Sequence, residues 1–149
     1  DGDQIMQLID GATYLFTNQY EWALLLQKTG LAEEEVAQRV GIRVTTLGKN
    51  GARVERRGLP AIEVNVPREE RVADPTGVGD AFRAGFLAGL AWEVGLERAA
   101  QVGCLLATYV VETVGTQEYR FDRAGFLSRF AEAYGDAAGA ELDAAWPHA

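Results

Sequence analysis

Apolar residues recur along the chain with two periods, near 3.6 and near 2. Ile5, Met6, Leu8 and Ile9 predict a short helix over 4–9, closed by Gly11. Tyr14-Leu15-Phe16-Thr17 is a brief strand-type run broken by Asn18. Trp22, Leu25 and Leu26 sit at helical spacing in 20–29, and Gly30 is a suitable stop. Residues 33–40 read as another helix, with Glu33, Glu34 and Glu35 where the helix dipole favours acids. The β-branched run 42–47 lies between Gly41 and Gly48 and predicts a strand. Two alternating stretches, 52–57 and 61–66, are split by Gly58-Leu59-Pro60 and predict a hairpin.

The second half is mostly helical. Residues 78–93 place Phe82, Phe86 and Leu90 on one face and Ala81, Gly85, Ala88 and Gly89 on another. Glycine inside a helix costs about 1 kcal/mol relative to alanine, so the small face is expected to press closely on a neighbour, here a short sheet. Residues 96–114 repeat the period through Leu96, Ala99, Ala100, Gly103, Leu106, Ala107 and Val110. Phe126, Leu127 and Phe130 mark a last helix, and the Ala-rich stretch 136–149 is helical or frayed. Strands alternating with helices, then a hairpin, then helices, form an α/β layered pattern without internal repeat or linker.

Length and charge narrow the function. The chain has 149 residues, for which one domain is the default. Lys+Arg number 14 against 22 Asp+Glu, a net charge of −8 with no basic stripe, which argues against nucleic acid as a partner. No apolar run approaches the ~20 residues that span a bilayer, and there is no signal-peptide pattern, so no membrane is expected. The single cysteine, Cys104, cannot form an internal disulfide. These features together read as a cytoplasmic protein. The chain opens on Asp1 rather than Met, directly into a helix, which fits processing or a piece of something longer.

Chemistry concentrates in Asp74-Pro75-Thr76-Gly77-Val78-Gly79-Asp80-Ala81-Phe82. Pro75 fixes the approach, and Gly77 and Gly79 allow backbone geometry that other residues resist. A helix begins next, so its first-turn N–H groups and positive dipole end face the loop and make an anion site. Asp80 stands in the same turn. Amides that hold charge on a moving phosphoryl group, beside a carboxylate that takes a hydroxyl proton, are what phosphoryl transfer to an alcohol needs. For a bare G-x-G-D, however, a plain helix start with a favourable acid is the commoner meaning. A dinucleotide fingerprint fails because Gly77-x-Gly79-x-x-Phe82 lacks the third glycine, and no G-x-x-x-x-G-K-[ST] occurs.

The run from Asp74 through Asp80-Ala-Phe-Arg-Ala-Gly85-Phe-Leu resembles the C-terminal signature of the PfkB/ribokinase family of sugar and nucleoside kinases. Continued to Gly115-Thr116-Gln117-Glu118, it is similar to the adenosine kinases of mycobacteria and related actinobacteria. The resemblance covers essentially the whole chain and implies a ribokinase-like three-layer (α/β/α) fold, of which residues 1–149 form the C-terminal, ATP-side half. It implies Asp80 as base and the backbone around Gly77, Val78, Gly79 and Asp80 as anion hole. Asn18-Gln-Tyr-Glu21 is similar to the family's N-x-x-E element near magnesium and the phosphates. Read alone, Asn18 is a helix cap and Glu21 a solvated first-turn acid. The turn 45–51, with Thr46, Gly48 and Gly51, is similar to the strand-turn bordering the ATP site. ATP or ADP with Mg2+ is expected near that turn and the helix end within 104–117. Asp74 and Thr76 match positions that help hold a potassium ion (K+), with the backbone near Thr113 and Gly115 completing that site more loosely.

Arg83 lies one turn after Asp80 and reads equally as a partner of Asp80 or of phosphate and as a surface residue. Cys104 reads as a buried, inert thiol, His148 as part of a frayed end, and Trp22 and Trp92 as packing. Family members are about twice this length, and the absent half would carry the sugar-binding glycines and the lid. The resemblance therefore implies a nucleoside or sugar as acceptor, with adenosine resting on it alone, and leaves a homodimer open. The chain by itself is expected to turn over weakly or not at all. The alternative is a nucleotide-binding or interaction fragment without turnover.

Overall fold

Reciprocal caps start the first helices. Asp1 accepts from the Gln4 N–H at 3.0 Å while its ammonium donates to the Gln4 side chain at 3.1 Å, opening α1 (Gly2–Ile9). After β1 (Tyr14–Asn18), α2 (Gln19–Thr29) ends on Gly30 in the left-handed conformation, as the sequence predicts. Next come α3 (Glu33–Arg39), β2 (Ile42–Thr46), β3 (Ala52–Arg56) and β4 (Ile62–Val64). The computed structural model describes residues 1–114 and 119–147. It divides into two compact units, Asp1–Glu63 and Val64–Ala149.

In the first unit the sheet order is β1-β2-β3-β4, with β1 and β2 parallel and β2 and β3 antiparallel. A parallel pair needs a crossover, and α2 and α3 supply it. Ile9, Trp22, Leu25, Val36 and Val40 form the buried cluster shared by α1, α2 and α3. Fully burying one such side chain contributes ~1.5–3 kcal/mol.

The second unit contains α4 (Val78–Ala91), α5 (Gly95–Val111), α6 (Arg123–Tyr134) and α7 (Asp136–Ala145). The long helix starts at Val78, as expected. Its small face, however, meets α5 rather than a sheet. A Cβ on Gly85 would lie 2.8 Å from the Gly103 Cα, one on Gly103 2.7 Å from the Phe82 carbonyl oxygen, and one on Gly89 2.7 Å from the Ala99 Cα. Glycines on both helices let the two backbones touch; the period of small residues on α4 does not reveal that the partner is another helix. Val102, Leu105, Phe126, Phe130, Ala138 and Leu142 form the core of α5, α6 and α7. Trp92 stacks on Trp146 with ring centroids 4.7 Å apart, so both expected packing tryptophans, Trp22 and Trp92, pack. Among the described residues no helix is long and apolar enough to cross a membrane.

Candidate active site

Parallel register sets Asn18 opposite Thr46, at the C-terminal ends of β1 and β2. In open α/β sheets ligands bind beyond such ends. Asn18 caps α2: its Oδ1 accepts from the Glu21 N–H at 2.7 Å, and Glu21 Oε2 accepts from the Asn18 N–H at 2.9 Å. Both side chains thus have a structural task that the sequence spacing already suggests. Beyond Thr46 the chain makes a tight turn over Gly48–Asn50, closed by the Leu47 N–H on the Gly51 carbonyl at 2.8 Å. Gly51 has φ 90° and ψ −135°, a region open essentially to glycine alone.

In the second unit the loop before α4 folds on itself. Asp74 Oδ1 accepts from the Thr76 N–H at 2.9 Å, and the Val78 N–H donates to the Pro75 carbonyl at 3.4 Å. Gly77 takes φ 81° as the N-cap residue, and the first intrahelical bond runs from the Ala81 N–H to the Gly77 carbonyl at 3.0 Å. No side chain caps α4, so the Gly79 and Asp80 amides remain at its positive end as donors for an anion. Gly79 corrects the sequence reading. Its backbone is helical, and a Cβ there would meet nothing within 4 Å. Glycine is required by conformation at Gly77, whereas at Gly79 a side chain would meet only open space. Asp80 is 81% exposed and accepts from Arg83 Nη2 at 2.5 Å, so Arg83 is a partner of Asp80.

The approach to this loop is tied to the end of α5. The Ala73 and Asp74 N–H groups both donate to the Val111 carbonyl, at 2.8 and 3.1 Å, which brings Asp74 to the helix end that carries Thr113. Helix α5 stops at Val111 rather than running to 114: the Thr113 N–H turns back to the Val110 carbonyl at 3.1 Å, and the Val111 carbonyl, left without an intrahelical partner, accepts these two amides. Gly115, with Thr116, Gln117 and Glu118, lies outside the described residues, as does His148. The sequence reading missed Glu112 and Arg129. Arg129 Nη1 donates to Glu112 Oε2 at 2.8 Å, and its Nη2 to both Glu112 Oε1 and the Arg68 carbonyl. Glu112 Oε1 also accepts from the Glu70 N–H at 2.7 Å, and Arg71 Nε donates to the Glu112 carbonyl at 2.9 Å. Burial alone raises the Glu112 carboxyl, but the Arg129 and Glu70 hydrogen bonds and the charges of Arg129 and Arg71 outweigh it and hold it low. The same carboxylate pushes the Arg129 guanidinium up. These partners are 17 to 61 residues apart, beyond any local period.

Two groups of the expected site residues are therefore assembled. Asn18, Glu21, Thr46, Gly48 and Gly51 gather at the strand ends of the first unit; Asp74, Thr76, Gly77, Val78, Gly79, Asp80 and Thr113 gather around the N-terminus of α4 and the C-terminus of α5. Among the described residues no three His, Cys, Asp or Glu side chains come together as a metal cage.

Residues 2–121 match the pfkB family of carbohydrate kinases. The chain belongs to that family. Its kinases are phosphotransferases, and the ribokinase-like α/β fold expected from the sequence is the one found. A nucleoside kinase of Methanocaldococcus jannaschii is 29% identical over 115 residues, 77% of this chain and 38% of the relative. The structure of Burkholderia thailandensis nucleoside kinase in complex with inosine is 37% identical with a TM-score of 0.86, covering 91% of this chain and 44% of that one. The same kinase has also been solved with ADP and inosine, again at a TM-score of 0.86 and 37% identity, covering 91% and 42%. The chain thus spans about two-fifths of the length of the curated relatives it matches.

Proposed function

We propose that this chain is the phosphate-handling portion of an ATP-dependent kinase that phosphorylates the 5′-hydroxyl of a nucleoside, with adenosine, giving AMP, the first acceptor to test. One observation carries the reading: α4 begins without a side-chain cap, behind a left-handed Gly77, with Asp80 in its first turn. The Gly79 and Asp80 amides, with Gly77 and Val78 shaping the loop, hold the charge that develops on the transferred phosphoryl group. Asp80 exchanges Arg83 for the acceptor hydroxyl and takes its proton as the oxygen attacks the γ-phosphorus, while the bond from that phosphorus to the bridging oxygen breaks and ADP leaves with the electron pair. Homology to a kinase solved with ADP and inosine supports a nucleoside over a free sugar.

Thr46, Gly48 and Gly51 are assigned to ATP, and Asn18 and Glu21 to the Mg2+–phosphate group. Magnesium supplies charge neutralisation on the phosphates and keeps several waters. The residues fit that role, since Glu21 Oε1 takes no part in the cap and can reach metal-bound water. For K+, Asp74 is the side-chain candidate. The Val111 carbonyl already accepts two amides, and the backbone of Thr113 and Gly115 is assigned to the remainder of that site. Thr76 contributes through its amide, which orients Asp74.

A second reading, nucleotide binding without turnover, is favoured for the 149 residues alone by their two-fifths span of the relatives. Alignment of reactants supplies ~7–11 kcal/mol of a barrier and lids complete many kinase sites. Calorimetry of the chain with Mg2+-ADP, and transfer from radiolabelled ATP to adenosine, inosine and ribose with and without the remainder of a family kinase, separate the readings. Weak ADP binding, with transfer only in the complete protein, is expected. An intact fold that binds no ADP at millimolar concentration overturns the proposal.

A further inference from the structure

Residues 65–77 contain neither helix nor strand, so their path depends on bonds made to other elements. Tyr134 donates its hydroxyl to the Asn65 carbonyl at 2.6 Å, and the Val111 carbonyl holds Ala73 and Asp74. Between these ends, the side chains of one ion pair grip the strap. Arg129 donates to the Arg68 carbonyl at 3.1 Å, and Glu112 accepts from the Glu70 N–H. We propose that Glu112 and Arg129 are positioning residues that clamp the 68–74 strap onto the end of α5 and so aim the Gly77–Asp80 amides at the phosphate. The proposal rests on the reading of the 74–80 loop as a phosphate site.

Geometry makes the clamp stiff. The two side chains keep only 11% and 16% of their exposure and meet through both guanidinium nitrogens. Arg129 also lies over the Tyr109 ring, 4.9 Å from its centroid, which fixes the plane of the fork. A half-buried pair of this kind resists separation, because either charge left alone is poorly solvated. Glu112 follows α5 by one residue and Arg129 sits in α6, so the strap is referred to two helices of the packed core. Between Asp74 and the helix start at Val78 only three residues intervene, bridged by the Asp74–Thr76 and Pro75–Val78 bonds. A shift of the strap therefore reaches the amides with little slack to absorb it.

Amide hydrogen exchange and Mg2+-ADP titration of Glu112→Gln, Arg129→Met and Arg129→Lys, each against the parent chain, test the clamp. Glu112→Gln and Arg129→Met should accelerate exchange at 68–80 by about tenfold or more while residues 99–107 of α5 keep their protection. ADP affinity should fall about three- to tenfold in the same two variants, and Arg129→Lys, which keeps the charge but not the two-pronged fork, should recover only part of both. Unchanged exchange at 68–80, or acceleration spread evenly over α5, α6 and α7, overturns the positioning role. Local acceleration with unaltered ADP affinity also overturns it, since the strap would then move without consequence for phosphate. If the parent chain binds no ADP, the phosphate reading falls, while the exchange result still decides whether the pair holds the strap.

Discussion

Arg83 donates to the carboxylate of Asp80 at 2.5 Å from one helical turn further along α4. The pair is solvent-exposed, 47% and 81% for the two side chains, and exposed ion pairs contribute only ~0.2–1 kcal/mol. An acceptor hydroxyl can therefore replace Arg83 at small cost. The arrangement keeps an acidic oxygen beside the uncapped end of α4 without committing it to the fold.

Asp80→Asn tests that division of labour in a complete, active kinase containing this chain. The amides are backbone groups and survive the change, whereas the acceptor of the hydroxyl proton is lost. Loss of a general base costs ~10²–10⁴-fold in kcat, with nucleotide Kd nearly unchanged. If more than about a tenth of the activity remains, the base lies elsewhere.

Two glycines on adjoining helices should respond in opposite ways. Gly79→Ala places a methyl where nothing lies within 4 Å, so thermal unfolding should be unchanged or slightly later, by at most ~1 kcal/mol. On the phosphate-site reading, a methyl at the first turn, where Cβ atoms lean toward the helix N-terminus, crowds the bound phosphate, so ADP binding should weaken. Gly103→Ala drives a methyl to 2.7 Å from the Phe82 carbonyl oxygen, and overpacking of this kind costs ~1–3 kcal/mol. A melt in which Gly79→Ala is the more damaged variant would reverse the assignment.

Acid should weaken the second unit through Glu112. Its carboxyl lies below its ordinary value of 4.5 when folded, so its contribution is fully present above that value. It is lost as pH falls through the folded value. Urea midpoints measured from about pH 7 to about pH 3 should decline in the parent and decline less in Glu112→Gln. Parallel curves would show that Glu112 has no part in the loss.

Burial pushes the Cys104 thiol up to about 12, against a smaller lowering by its hydrogen bond with Tyr134. The thiol is 3% exposed and should not react with a disulfide reagent in the native protein. Labelling should follow the unfolding curve in urea. Labelling as fast in native buffer as in urea would place Cys104 outside the core.

Local patterns along the chain were enough for most of the elements and for the loop that opens α4. The Asn18–Glu21 cap, the Gly30 stop, the strand before Gly48 and the helix start at Val78 depend on neighbours a few residues apart. Spacing within the chain reports such neighbours directly. Asp80 could be placed in the first turn of α4 for the same reason, since it shares one helical turn with the amides it stands beside.

Tertiary structure alone decided what those elements meet. The small face of α4 announces a close approach, but only packing shows that the approaching backbone is α5 at Gly103. Gly77 and Gly79 look alike in sequence, yet one is held at φ 81° and the other is an ordinary helical residue with empty space before it. The Glu112–Arg129 clamp on the 68–74 strap left no mark at all, because its partners lie 17 and more residues apart. Sequence fixes a residue's local conformational preferences, whereas such a clamp exists only after the core has brought distant charges out of water and against one another.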